Sequence, residues 1–158
     1  MFNNKPNQKN ERFERPVSEF TDKVVQIKRV SKKTKGGNQI HFTALVVSGD
    51  KKSRVGVGLG KAKSVAEAIQ KGIKKAQKSL IEVPIVNGTI SGSIKLKFKG
   101  AIVLLRPGKA GSGLIAGGPV RSVVELAGIK DIASKIIGSK NKSINVWTTL
   151  KALNLLQK

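Results

Sequence analysis

The sequence predicts an α+β chain made of two small domains. Three observations carry this. The chain has 158 residues, room for one domain or two small ones. Before Glu82–Pro84, three strand-like runs lead into one amphipathic helix. After that boundary, strand patterns and a glycine-bounded helix pattern alternate again. The expected division is a flexible tail over residues 1–22, a first domain over 23–83 and a second over 84–158.

The elements follow in order. Residues 1–22 mix Asn, Lys, Glu, Arg and Pro without periodicity, the pattern of an extended tail. Val24–Val30 is rich in β-branched residues and predicts a strand, and SKKTKGGN after it predicts a basic loop. Ile40–Ser48 predicts a second strand, GDKKS a hairpin turn, and Arg54–Leu59 a third, glycine-laced strand. Ser64 with Glu67 three residues on is a capping-box pattern that opens a helix. Val65, Ala68, Ile69, Ile73, Ala76 and Leu80 share its apolar face, while Lys71, Lys74, Lys75 and Lys78 line a nearly opposite one. In the second half, Ile94, Leu96 and Phe98 alternate with Lys95, Lys97 and Lys99, a half-buried strand with a wholly basic outer face. Ala101–Leu105 is an apolar strand core, and PGKAGSG a loop. Gly117, Gly118 and Pro119 open a helix that Gly128 closes. Ile129–Ile137 fits strand or helix, SKNKSIN reads as a turn, and Val146–Leu156 as a terminal helix carrying Trp147.

The charge balance points to the function class. There are 31 Lys and Arg against 9 Asp and Glu, a net +22, far beyond the charge of about 2–8 that keeps a small domain soluble. Such an excess calls for a polyanionic partner: nucleic acid first, an anionic membrane surface second. The excess is concentrated: residues 24–63 hold ten Lys and Arg and one acid, Asp50. Lys28, Arg29, Arg54, Lys61 and Lys63 are candidate RNA contacts on that ground, and the Lys71–Lys78 stripe is a candidate phosphate-facing surface. Aromatic residues are 4% of the chain, too few for the base stacking of single-strand binders, which favours structured RNA held by backbone and shape.

Other chemistry finds little support. Gly56, Gly58 and Gly60 before Lys61 invite a phosphate-loop reading, but Val55 stands at the first glycine position and Ala62 after the lysine. Gly56 and Gly58 fit better as strand positions that let a backbone or a sugar-phosphate approach closely. Gly111, Gly113 and Ala116, with Asp131 downstream, form a degenerate dinucleotide pattern better read as a surface loop. His41 is the lone histidine and falls among strand residues, and the chain has no cysteine. No metal site, catalytic constellation or cofactor is expected, and no membrane span. The N-terminus carries no secretory signal, so cytoplasmic location is the default.

The run Gly36–Lys71, with FTALVV, Gly49-Asp50, RVG and GKA in register, resembles the N-terminal half of the bacterial-type small-subunit ribosomal protein five family. Gly88-Thr89, GSGLIAGG at Gly111–Gly118, Arg121-Ser122-Val123 and Glu125–Gly128 are similar to its C-terminal half. The resemblance covers about Val24 to Leu156. It implies a double-stranded-RNA-binding-like βββα domain, followed by an α/β domain with a left-handed βαβ crossover. It implies a structural constituent of the small subunit that binds small-subunit rRNA. That constituent supports assembly and translational accuracy near the mRNA entrance, and contacts ribosomal proteins four and eight. Ser31, Lys32, Lys33, Thr34, Lys35, Gly36 and Gly37 match a family loop that reaches rRNA and is associated with spectinomycin resistance. Gly113 and Arg121 match positions of the protein-four interface. Two departures stand out: Asn38 where members often carry Arg, and Asn141-Lys142-Ser143 in place of Asn-Pro. The location implied is the small ribosomal subunit, of a bacterium or an organelle. The alternative reading of the residues is a free double-stranded-RNA-binding regulator, which needs the first half alone.

Overall fold

The computed structural model describes residues 19–157, so most of the tail expected over 1–22 lies outside the described residues. β1 (Thr21–Thr34), β2 (Gly37–Gly49), β3 (Arg54–Ala62) and β4 (Leu80–Glu82) form an antiparallel sheet in that order, with α1 (Val65–Lys78) between β3 and β4. β5 (Ile85–Val86) and β6 (Thr89–Ile90) make a short hairpin. β7 (Ile94–Phe98), β8 (Ala101–Pro107), β9 (Leu114–Ile115) and β10 (Ile132–Gly138) form a second sheet in the order β7-β8-β10-β9. α2 (Gly118–Ala127) and α3 (Lys142–Leu155) complete the chain. β9 and β10 run parallel and are joined through α2, a βαβ unit within an α+β fold.

Four local expectations change. The basic loop after Val30 is strand: Ser31–Thr34 pair with Gly37–Ile40, leaving Lys35-Gly36 as a two-residue turn. Thr34 Oγ1 donates to the Gly37 carbonyl at 2.8 Å, and Gly37 takes a φ of 123°, which L side chains rarely adopt. β1 also begins at Thr21, because Thr21 and Asp22 pair with Gly49 and Ser48. Leu80 leaves the helix for β4: Ser79 caps α1, its N–H bonding the Ala76 carbonyl, and Leu80 pairs with Gly56. SKNKSIN is mostly helix, since Asn141 Oδ1 accepts from the Ser143 N–H and starts α3 four residues early. The ambiguous segment Ile129–Ile137 resolves to β10, whose partner is the apolar strand β8.

The first sheet is covered on both faces over its inner half. Alternation along β2 sends Ala44 and Val46 towards α1 and Leu45 and Val47 the other way. On that second side Leu45, Val47, Val55 and Val57 join Val103, Leu105, Val123, Leu126 and Leu153 in one cluster shared by both halves. Each such side chain contributes about 1.5–3 kcal/mol when fully buried. The Lys51 N–H donates to the Leu126 carbonyl at 3.0 Å, so the β2–β3 turn also locks onto the end of α2. Lys23 meets Glu125 across the junction at 2.7 Å and holds its carboxyl below the usual range. With both side chains 44% exposed, that pair is worth less than about 1 kcal/mol. Apolar burial, not charge pairing, holds the halves together.

Candidate nucleic-acid interface

α1 presents the most regular basic surface. Ser64 Oγ accepts from the Glu67 N–H at 3.3 Å, the expected cap. Ala68, Gly72 and Ala76 recur every four residues and form the buried seam. Ile69 and Ile73 lie to one side of it, against Phe42. Lys71, Lys74, Lys75 and Lys78 lie to the other side and are exposed. They stand about a third of a turn from the seam, at 100° per residue. Lys75 Nζ donates to the Leu59 carbonyl at 3.1 Å, which places the stripe along the β3 side of the helix. Lys71, Lys74 and Lys78 remain directed to solvent.

The glycines of β3 face this helix rather than a ligand. Gly56 and Gly58 are buried, and a Cβ on them would overlap the carbonyls of Ala76 and Gly72; Gly60 meets Ala68 in the same way. Gly56 and Gly58 therefore cannot touch a sugar-phosphate, and the RNA contact expected of them is corrected to backbone packing. No side chain separates β3 from the Ala68–Gly72–Ala76 seam, so the helix lies directly on the strand.

Arg54 stays exposed but is braced by neighbours within the fold. Its Nε donates to Asp50 Oδ2 at 2.8 Å, and its guanidinium carbon lies 5.2 Å from the Phe20 ring centre. Asp50 Oδ1 accepts from the backbone N–H groups of Lys52, Ser53 and Arg54 at 2.9–3.0 Å. The Asp50 side chain is 5% exposed. Burial pushes its carboxyl up, but the Arg54 guanidinium and the three N–H donors outweigh that and hold it well below its ordinary 3.8. A carboxyl so depressed adds stability that is complete above the unfolded value and fades as pH falls through the folded one. Asp50→Asn is therefore expected to destabilise the protein by about 2 kcal/mol at pH 7. The difference from wild type should shrink below about pH 4, where the unfolded carboxyl protonates. Thermal melts of both proteins across pH 2–7 check this; a constant difference would refute the electrostatic origin.

The remaining candidates divide between two places. Ser31, Lys32, Lys33, Thr34, Lys35, Gly36 and Gly37 are all exposed at the far end of the β1–β2 hairpin. Strand alternation sends Arg29 and Lys33 to the α1 side, and Lys28 and Lys32 to the other. Lys28 and Lys61 both sit opposite Thr43, forming a row across the sheet on the side away from α1. Lys63 is exposed between β3 and α1. The hairpin end thus carries cations on both faces, and the sheet separates Lys28 and Lys61 from the α1 stripe. His41 is half-buried on β2 opposite Val30. In the second half, the Gly113 N–H donates to Asp131 Oδ1 at 2.7 Å, so Asp131 braces the β9 loop instead of facing a ribose. Arg121 is exposed on α2. Among the described residues no cluster of His, Cys, Asp or Glu could hold a metal, and no helix is long and apolar enough to cross a membrane.

Residues 20–84 match the family Ribosomal protein S5, N-terminal domain, and residues 96–158 match Ribosomal protein S5, C-terminal domain. Two similar relatives, both named Small ribosomal subunit protein uS5, come from two strains of Treponema pallidum, one of them strain Nichols. Each is 49% identical over 128 residues, covering 81% of this chain and 74% of the relative.

Proposed function

As the chain belongs to the ribosomal protein S5 family and is a structural constituent of the small ribosomal subunit, we propose that it holds small-subunit rRNA through the β1–β2 hairpin end and the α1 lysine stripe. The hairpin carries the argument. From residue 24 to residue 49 the chain has five Lys and Arg and no acid, and the exposed residues 31–37 project them at its end. Contacts of this kind go to phosphate and sugar and position the protein without reading bases. The role is structural rather than catalytic. In the same reading Gly113 and Arg121 meet ribosomal protein four, other surfaces meet protein eight, and the hairpin side lies towards the mRNA entrance of a cytoplasmic ribosome. Support for translational accuracy follows from that position.

With roughly six to ten phosphates neutralised, affinity for small-subunit rRNA is expected to fall ~10³–10⁵-fold between about 50 and 200 mM salt. Filter binding across that range tests it, and salt-independent binding would sink the reading. Lys32→Glu and Gly36→Asp are expected to weaken binding about tenfold while leaving the melting temperature in place, because a turn change spares the core. A Cβ at Gly36 meets nothing within 4 Å. Loss of thermal stability in either variant would count against a direct RNA role. A free double-stranded-RNA-binding regulator would need only the first half, whereas the hydrophobic core runs through both.

A further inference from the structure

The turn between β5 and β6 holds the one Asn-Gly step of the chain. Val86 pairs with Thr89, so Asn87 and Gly88 alone span the turn, at φ 51° and 81°. Asn87 is exposed. The Gly88 N–H finds no acceptor among the described residues, but the Gly88 carbonyl has two donors. It accepts from the Lys130 N–H at 2.8 Å and the Asp131 N–H at 3.2 Å. Asp131 carries the tie onward, its Oδ1 accepting from the Gly113 N–H at 2.7 Å. The Gly113 carbonyl in turn accepts from the Ile132 N–H at 3.2 Å. Thr89 adds a second tie, its Oγ1 accepting from the Gly108 N–H at 3.3 Å. The small hairpin thus props the loop after β8 at both Gly108 and Gly113.

We propose that Asn87 is a site of spontaneous deamidation, and that its isoaspartyl product releases the Gly113 loop. The Gly88 nitrogen gives its proton to a solvent base and bonds to Asn87 Cγ. The Cγ–Nδ2 bond breaks and ammonia leaves. The resulting succinimide takes up one water. Opening at Cγ yields aspartate; opening at the former main-chain carbonyl yields isoaspartate, with the chain routed through Cγ. Nothing is oxidised or reduced. Local structure favours this step. Gly88 places no Cβ beside the attacking nitrogen, whereas Asn38, Asn141, Asn145 and Asn154 precede Gln39, Lys142, Val146 and Leu155. Val86 is 51% exposed, so the turn end opens while Ile85 and Ile90 stay against the core. The two products then diverge. Aspartate tolerates positive φ and keeps the turn. Isoaspartate adds a methylene to the main chain, and a two-residue turn cannot absorb it in register. The Gly88 carbonyl then leaves Lys130 and Asp131, and the Asp131 carboxylate loses the anchor that aims it at Gly113.

Full-length protein is aged in mildly alkaline buffer and followed by peptide mass spectrometry. Methyl transfer by an isoaspartate-specific carboxyl methyltransferase identifies the product. Asn87 is expected to gain one mass unit before Asn38 or Asn141 does, and to become mainly isoaspartate. In the isoaspartyl form, separated by chromatography, the Gly113 amide should exchange its hydrogen about tenfold faster, and in Asn87→Asp at the unaltered rate. Four results would overturn the proposal: Asn87 intact after Asn38 or Asn141 has converted, aspartate as the sole product, isoaspartate with unaltered Gly113 exchange, or equal acceleration in Asn87→Asp. Should Asn87→Asp fail to fold, Asn87→Gln aged in parallel is the reference, and its Gly113 exchange should stay constant with time. Every readout lies within the chain and is independent of rRNA binding.

Discussion

Gly58→Ala is expected to destabilise the protein by about 3 kcal/mol and to lower its melting temperature by roughly 6–12 °C. The added methyl would overlap the Gly72 carbonyl and lie 2.6 Å from the Ala76 nitrogen. Both are helix backbone and cannot swing aside as a side-chain end would. The only relief is for α1 to lift from β3. That opens the seam of Ala44, Val46 and Ala68, so larger residues such as Gly58→Val should unfold the first half outright. Gly92→Ala is the control, because a Cβ there meets nothing within 4 Å. Calorimetry on the two variants decides the matter: equal melting temperatures would mean that the glycines do not serve packing.

The second large effect is on RNA. The triple change Lys71→Glu, Lys74→Glu and Lys78→Glu alters the charge by six units on one exposed helix flank. It is expected to weaken binding to small-subunit rRNA by at least ~10²-fold at about 100 mM salt, and to reduce the slope of log affinity against log salt by about 3. Stability should change little, since all three lysines are exposed and none has a hydrogen-bond or ion-pair partner among the described residues. Lys75 is left intact because it reaches the Leu59 carbonyl. Circular dichroism and salt-series binding separate the two effects. An unchanged salt slope with a folded protein would remove α1 from the interface.

Legibility differed by feature. The α1 lysine stripe and the Ser64 cap were readable because a helix places i, i+3, i+4 and i+7 on one side whatever it packs against. The end of the β1–β2 hairpin was misread as a loop. Ser31–Thr34 carry no apolar alternation, and their strand state comes from cross-strand bonds to Gly37–Ile40. Gly56 and Gly58 show the same limit: a glycine marks a close approach without saying what approaches. Arg54 looked like any other cation in a basic stretch. Its commitment to Asp50 was visible only as an i,i+4 spacing across a turn. The Asn87-Gly88 step, both residues at positive φ, forms the tight turn between β5 and β6.

The sequence by itself determined the α+β class, the order of the main elements, the polyanion preference and the family, because charge, periodicity and motif spacing are properties of the chain alone. Tertiary structure decided the rest. It turned the β3 glycines inward beneath α1 and tied the exposed Arg54 to Asp50. It divided the remaining cations between the two sides of a sheet, and aligned Lys95, Leu104 and Lys135 from three separate strands into one row. Such placements depend on which strands pair and in which register. Burial of the core shared by both halves sets that register, and no local stretch of sequence encodes it.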